Sequence, residues 1–269
     1  MACSALLAAG CSPGNKARTV VASFYPLAFA AERVAGSGWD VIDLTPPGTE
    51  AHDVELSLGD RSAIQDADVV LYLGDIGFQP QVEEAVQEAE GRVVAVWDAD
   101  SRPSVDATID PHVWLDPRHF AGMIGRIGTA LAREDAAEVI REQLHELDAR
   151  YRAGLEDCRS RTMVVTHEAF GYLARAYGLE QIGLTGLSPE AEPTVERLGE
   201  AGAALADGRA TAVFYEADDE ARRIAESVAA DFGVPALPLG TLESEPPSGD
   251  YLSVMEDNLG SLRRGLQCE

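Results

Sequence analysis

A long amphipathic segment near the middle of this 269-residue chain places the strongest constraint on its fold. From Asp135 to Cys158 there is no proline, and the only glycine is Gly154, so the composition favours one continuous helix. Apolar residues recur there at intervals of four, three, four and four positions, at Ile140, Leu144, Leu147, Tyr151 and Leu155. This spacing predicts one apolar face along a helix of ~35 Å, which would separate the chain into two halves.

Short β-branched runs alternate with helical segments on both sides of that helix. The predicted strands are 18–24, 39–44, 68–73 and 91–97 in the first half, and 161–166, 210–215 and 233–239 in the second. Continuous apolar runs of this length indicate parallel strands buried on both faces and joined by right-handed crossovers. We therefore predict an α/β fold with two lobes, each a mostly parallel sheet flanked by helices. The expected boundaries are 18–134 and 159–269 for the lobes and 135–158 for one long, rigid linking helix.

The net charge excludes one class of partner. The chain has 21 lysines and arginines against 46 aspartates and glutamates, which gives a formal net charge of -25. Such a surface repels phosphate backbones, so we expect no nucleic-acid partner.

The N-terminal segment, residues 1–17, resembles a bacterial lipoprotein signal and tether. An apolar run at 5–9 precedes Cys11, and the stretch Leu7–Cys11 resembles a lipobox, in which the cysteine is lipidated after signal cleavage. The basic region expected before such a run is missing, and the alternative is an ordinary N-terminus with an incidental cysteine. No later apolar run approaches the ~18–20 residues that span a bilayer. We expect an extracytoplasmic protein, in the periplasm or on the outer membrane face, with a lipid anchor at Cys11.

Two further cysteines, Cys158 and Cys268, lie outside the N-terminal segment. An even pair in an exported chain favours a disulfide between them. The alternative is a pair of free buried thiols.

Three of the five histidines lie where a strand-like run gives way to a polar turn. His52 follows the second strand, His112 lies in a proline-bounded segment, and His167 directly follows the run 161–166. Ligands of parallel sheets bind beyond the carboxyl ends of the strands, and imidazoles are preferred zinc ligands. The three histidines therefore predict a metal site. For His119 and His145 we expect solvated or capping roles.

The segments around these histidines carry a family resemblance. They are Pro47–His52, Asp110–Pro117 and His167–Tyr172, supported by Leu187–Pro193 and Tyr251–Leu259. Together they resemble the solute-binding proteins of bacterial zinc and manganese ABC importers, in which a single helix links two lobes. The resemblance covers nearly the whole chain from about residue 18.

The resemblance implies a fourth ligand and a function. In the family a carboxylate follows the last strand of the second lobe, which points to Glu243, with Glu245, Asp250 and Glu216 as competitors. It implies a monomeric binding protein, not an enzyme, that carries Zn²⁺, or alternatively Mn²⁺, to the permease of an ABC importer, with a metallochaperone as a candidate second partner. Zinc affinity should fall below pH ~6.5, where free imidazoles become protonated.

One departure and three alternatives stand beside this interpretation. Zinc-type members often carry a histidine-rich loop before the second ligand, whereas Asp98–Asp110 is acidic and has no histidine. The first alternative is a manganese-specific member of the same family. The second is a zinc hydrolase, for which Glu168 is the obvious general base. The third is a surface adhesin or metal buffer.

Overall fold

A computed structural model of the protein describes residues 17–97, 104–105, 108–216 and 218–269. The predicted lipidation site, Cys11, lies outside the described residues, as does most of the acidic segment before the second histidine motif. Within the described ranges, no helix combines the length and apolarity that a membrane crossing requires.

The first sheet has four parallel strands and helices on both sides. Its strands are β1 (Arg18–Ala22), β2 (Trp39–Asp43), β3 (Val69–Tyr72) and β4 (Arg92–Ala95), in the order β2-β1-β3-β4. The helices between them are α1 (Tyr25–Ala35), α2 (Leu58–Asp66) and α3 (Pro80–Ala85). A short antiparallel hairpin, β5 (Ser104–Val105) and β6 (Thr108–Ile109), and the helix α4 (Pro117–Leu131) follow. We call β1–β6 with α1–α4 the N-lobe.

The second sheet repeats the topology of the first. Its strands are β7 (Thr162–Val165), β8 (Glu180–Gly183), β9 (Ala210–Tyr215) and β10 (Ala236–Pro238), in the order β10-β9-β7-β8. The helices are α6 (Gly171–Ala176), α7 (Val195–Ala206), α8 (Asp219–Phe232) and α9 (Tyr251–Gly265). We call these elements the C-lobe. In both sheets the first strand lies between the second and the third, so the predicted two-lobed parallel α/β fold is confirmed.

The linking helix α5 extends from Glu134 to Gly154, four residues short of the predicted end at Cys158. Gly154 is the least favourable helix former in the segment, and the chain leaves helical geometry just after it. The predicted apolar face is buried, and α5 packs against α4, α1 and α9. One continuous apolar core therefore includes residues of both lobes and of the helix between them.

Two side-chain helix caps and the predicted disulfide are present. Ser57 forms a reciprocal capping box at the start of α2, and Asp116 accepts the backbone N–H of Arg118 at the start of α4. Cys158 and Cys268 are joined, which ties the end of the chain to the segment before β7. The elements β8 and α7 and the hairpin β5–β6 were not predicted. Strand β8 has the sequence EQIG, with a single β-branched residue, so its apolar signal is too short to detect.

Candidate metal centre

The four predicted ligands converge between the two lobes. His52 lies in a 3-10 turn after β2, and His112 immediately precedes a second 3-10 turn that leads into α4. His167 lies two residues beyond β7, and Glu243 lies in the loop that follows β10. The N-lobe thus supplies two imidazoles, and the C-lobe supplies one imidazole and one carboxylate.

The distances between the ligand atoms fit a small tetrahedral cation. His112 Nε2 lies 3.1 Å from Glu243 Oε1 and 3.4 Å from His167 Nε2. His167 Nε2 lies 3.8 Å from Glu243 Oε1, and His52 Nε2 lies 3.6 Å from Glu243 Oε2. Zinc bonds of ~2.0–2.1 Å in a tetrahedron separate neighbouring ligand atoms by about 3.3 Å. The spacings of 3.1–3.8 Å among His112 Nε2, His167 Nε2 and Glu243 Oε1 bracket that value, and His52 approaches the other oxygen of Glu243.

Two of these ligand atoms are buried without a hydrogen-bond partner in the described part of the chain. They are His52 Nε2 and Glu243 Oε2. Burying a polar atom unpaired costs about 1–3 kcal/mol. A cation between the two atoms would satisfy both, so the donor set fits a metal ion.

Two further carboxylates orient two of the imidazoles. Asp110 Oδ1 lies 2.9 Å from His112 Nδ1, and Glu216 Oε1 contacts His167 Nδ1. Each carboxylate favours the tautomer with hydrogen on Nδ1, which leaves the Nε2 lone pair free to face the centre. Sequence reasoning considered Glu216 only as a ligand and did not assign Asp110 a role. The available signals were the position of Asp110 two residues before His112 and the position of Glu216 at the end of β9.

The other competitors for the fourth position are engaged or exposed elsewhere. Asp250 caps α9 through the backbone N–H of Ser253 and forms an ion pair with Arg33 at 2.5 Å. Glu245 is exposed. Glu216, in contrast, lies at the centre: ligand-type atoms within 4.8 Å of one another form two groups in the described residues, His52 with His112 and Glu243, and His167 with Glu216 and Glu243.

The electrostatics differ between the two N-lobe histidines. Burial lowers the pKa of His52 to about 4, so its ring is neutral near pH 7. Burial also disfavours a charge on His112, but hydrogen bonds to Asp110 and Glu243 outweigh it and raise the pKa of His112 to about 9. Without a metal, the His112 ring is therefore protonated on both nitrogens and positively charged near pH 7.

The carboxylate of Glu243 is ionised in this setting. Burial alone would raise its pKa, but the three histidine rings outweigh that effect and lower the pKa of Glu243 to about 2. Burial, together with the charges of Glu243 and Glu216, raises the pKa of the nearby Glu50 to about 9. The ligand carboxylate is thus charged, whereas its acidic neighbour is neutral near pH 7.

An acidic cleft of about 450 Å³ leads to the site from one side. Its walls include His167, the neutral carboxyl group of Glu50, and the carboxylates of Glu190, Glu192, Glu216, Asp218 and Glu220. Clefts lined by one sign of charge concentrate counter-ions, so this approach favours cations. His119 and His145 lie away from the centre: His119 bonds to Asp116 at 2.8 Å, and His145 is exposed on α5.

Comparisons with known proteins give a consistent result. The family model described as zinc-uptake complex component A, periplasmic, matches residues 20–265. The zinc-binding protein AdcA of Streptococcus pyogenes serotype M1 is 31% identical over 91% of this chain and 55% of its own length. The zinc-binding lipoprotein AdcA of Streptococcus pneumoniae strain R6 is 30% identical over 97% of this chain and 58% of its own. The chain thus spans little more than half the length of these relatives.

A solved structure has the same fold over nearly the full chain. The laminin-binding protein of Streptococcus agalactiae, described as bifunctional with adhesin and metal transporting activity, is 28% identical with a TM-score of 0.84. The match covers 93% of this chain and 99% of that one.

Proposed function

The chain belongs to the family of periplasmic component A of zinc-uptake complexes, and on this premise we propose that it captures zinc outside the cytoplasm for an ABC importer. The zinc ion is cargo, bound by His52, His112, His167 and Glu243 and released to the importer's permease in the membrane. The protein acts as a receptor and catalyses no reaction.

The observation that supports this proposal is that His112 Nε2, His167 Nε2 and Glu243 Oε1 lie 3.1–3.8 Å from one another. His52 Nε2 lies 3.6 Å from the second oxygen of Glu243, and within the described residues both of these atoms are buried without a hydrogen-bond partner. Four protein ligands complete the tetrahedral shell of zinc and leave no position for a reactive water, as transport requires. Glu168, the candidate general base of a hydrolase, instead accepts a hydrogen bond from the Arg197 guanidinium at 2.7 Å.

The choice of metal follows from the chemistry of the donors. Three imidazoles with one carboxylate suit Zn²⁺, whereas Mn²⁺ prefers sites richer in oxygen ligands. We therefore propose zinc as the physiological cargo, with manganese as the competitor that a binding experiment must include.

Location and partners follow from the relatives and the N-terminal sequence. One relative is described as a lipoprotein, and the stretch Leu7–Cys11 resembles a lipobox. We propose that Cys11 carries a lipid that holds the protein at the outer face of a membrane, near the permease. The functional units proposed are the lobes 18–134 and 159–269 and the linking segment 135–158, in a monomer that a metallochaperone can load.

A titration of the metal-free protein tests the proposal. The protein should bind one zinc ion per chain and withdraw that ion from a chromophoric chelator of known affinity. A large excess of Mn²⁺ should not displace the bound zinc. Failure to compete with the chelator, or equal binding of both metals, would contradict zinc as the cargo.

A further inference from the structure

The loop that carries Glu243 is bonded to the opposite lobe through a tryptophan. The indole Nε1 of Trp114 donates a hydrogen bond to the carbonyl oxygen of Thr241 at 2.8 Å. Trp114 lies two residues after the ligand His112, and Thr241 lies two residues before the ligand Glu243. Because Trp114 is fully buried, water cannot replace this bond if it is lost.

Thr241 also connects to the third histidine. Its hydroxyl donates to Glu216 Oε2 at 3.4 Å, and the other oxygen of Glu216 contacts His167. Thr241 therefore lies between the segments that place His112, His167 and Glu243. A shift of this residue would displace Glu243 relative to His112 and His167.

The residue between Thr241 and Glu243 has an unfavourable backbone conformation. Leu242 has a φ of 59°, in the left-handed region that non-glycine residues rarely adopt, and its side chain is buried. Such a conformation persists where its surroundings fix it on both sides. The Trp114 hydrogen bond fixes the preceding peptide, which directs the Glu243 side chain toward the histidines.

A second hydrogen bond holds Trp114 from the C-lobe side. The hydroxyl of Tyr251, in the first turn of α9, donates to the carbonyl oxygen of Trp114 at 2.6 Å. The Trp114 ring is thus hydrogen-bonded to Thr241 at one end of the 241–251 loop, and its backbone carbonyl is hydrogen-bonded to Tyr251 at the other end. This arrangement resists opening of the loop.

We propose that Trp114 is a positioning residue that keeps Glu243 in the four-ligand geometry. It does not contact the cargo; it acts on zinc affinity through the Glu243 loop. The inference rests on the proposed function, and it adds a residue that controls how tightly the fourth ligand is held and how readily it is released.

A double-mutant cycle tests this role. Trp114→Phe removes the indole N–H and retains an aromatic ring against Phe24 and Phe78. We expect its zinc dissociation constant to rise about tenfold. Loss of a hydrogen-bond partner that supports a metal ligand costs about 10–100-fold in affinity, and this value is at the lower end of that range. In a Glu243→Ala background the same substitution should change zinc affinity by less than about twofold, since the group it positions is absent.

Tyr151→Phe is the matched control. It removes another buried tyrosine hydrogen bond to the C-lobe, from Tyr151 to the carbonyl of Met255 at 2.6 Å, outside the 241–251 loop. We expect it to lower stability and to leave zinc affinity within about twofold. Unfolding curves of all variants separate stability from affinity.

The outcomes are distinct. Equal loss of affinity from Trp114→Phe with and without Glu243, or no loss in either, would overturn the positioning role. If Trp114→Phe does not fold, Tyr251→Phe makes the same test at the other end of the loop, with a smaller expected effect in the same direction. If the unmodified protein binds no zinc, the proposed function fails before this inference is reached.

Discussion

The two lobes share one strand order but place their ligands differently. In the C-lobe, His167 and the orienting Glu216 come directly after strands β7 and β9. In the N-lobe, His52 lies in a 3-10 turn well beyond β2, and His112 lies between the hairpin strand β6 and a second 3-10 turn, so neither directly follows a strand of the parallel sheet. A common topology therefore fixes the edge at which ligands gather, and the loops decide which residues reach the centre.

Among the four candidate ligands, His52 of the N-lobe has the fewest supporting contacts. The His52 side chain is 17% exposed, whereas those of His112, His167 and Glu243 are at most 1% exposed. Within the described residues no hydrogen bond to the His52 ring is recorded, and its main neighbour is the edge of Phe78, with ring centroids 4.8 Å apart. The other three ligands are preorganised by partners. We therefore expect His52 to bind last during capture and to leave first during release.

The largest effect is expected from the fully buried N-lobe ligand. His112→Ala should lower zinc affinity by more than about 100-fold, since loss of even an outer partner of a ligand costs about 10–100-fold. His112 contacts both Glu243 and His167, so its removal leaves a gap at the centre of the set. His52→Ala should cause a smaller loss, because the remaining three ligands keep their partners. Competition titrations of both variants measure the difference.

Equal losses in the two variants would show that the two N-lobe histidines do not differ in preorganisation. Unchanged zinc binding in His112→Ala would refute the site itself. Thermal unfolding of each variant, without metal, serves as the control for the fold.

The orienting carboxylates give the next largest effect. Glu216→Gln and Asp110→Asn keep the size of each side chain but remove its charge, and each should lower zinc affinity by about 10–100-fold. Asp110 also accepts the backbone N–H of His112 at 3.0 Å, so Asp110→Asn should lower the unfolding free energy as well. A loss of affinity in only one variant would show that one lobe orients its histidine without help.

The sequence brought out the three histidines as candidate ligands because their signal is local. His52 and His167 follow predicted strands, whose ends parallel sheets gather at one edge, and His112 lies in a proline-bounded motif. The role of Glu243 required the family resemblance, since several acidic residues occupy the same part of the chain. The bond from Trp114 to Thr241 and the left-handed backbone of Leu242 arise from tertiary packing, and no local pattern reports them.

The limits of local patterns also explain why strand β8 was not predicted and why the predicted end of α5 was wrong. Strand β8 has one β-branched residue, and it forms because β7 offers it a partner. The linking helix was predicted too long because the apolar spacing continues to Leu155, whereas the helix ends at Gly154. Periodicity reports which face is buried more reliably than it reports where an element ends.

The pH dependence should separate the two N-lobe histidines. The pKa of His112 is raised to about 9, so below that pH zinc must displace a proton, and affinity should rise about tenfold per pH unit between pH 7 and 9. The pKa of His52 is lowered to about 4, so this ring is already neutral and adds nothing to the slope in that range. If His112 had the ordinary pKa of an imidazole, zinc affinity would depend on pH only below ~6.5.

Competition titrations between pH 6.5 and 9 measure this slope. Asp110→Asn is the informative variant, because it removes a hydrogen bond that raises the pKa of His112 and should move the slope to lower pH. A constant affinity above pH 7 in the unmodified protein would show that His112 is neutral before zinc arrives.

The smallest effect on the site is expected from the disulfide, which reinforces only the C-lobe. The bond between Cys158 and Cys268 closes a loop of 110 residues, so its replacement by two serines should lower the unfolding free energy by roughly 2–4 kcal/mol. Cys158 lies at the amino end of β7, whereas His167 follows the carboxyl end of that strand. The start of the Glu243 loop is fixed separately, by two hydrogen bonds of 2.7 and 2.8 Å between Asn258 and Gly240. Zinc affinity should therefore change by less than about twofold, and a tenfold loss would mean that the geometry of the C-lobe ligands depends on the covalent link.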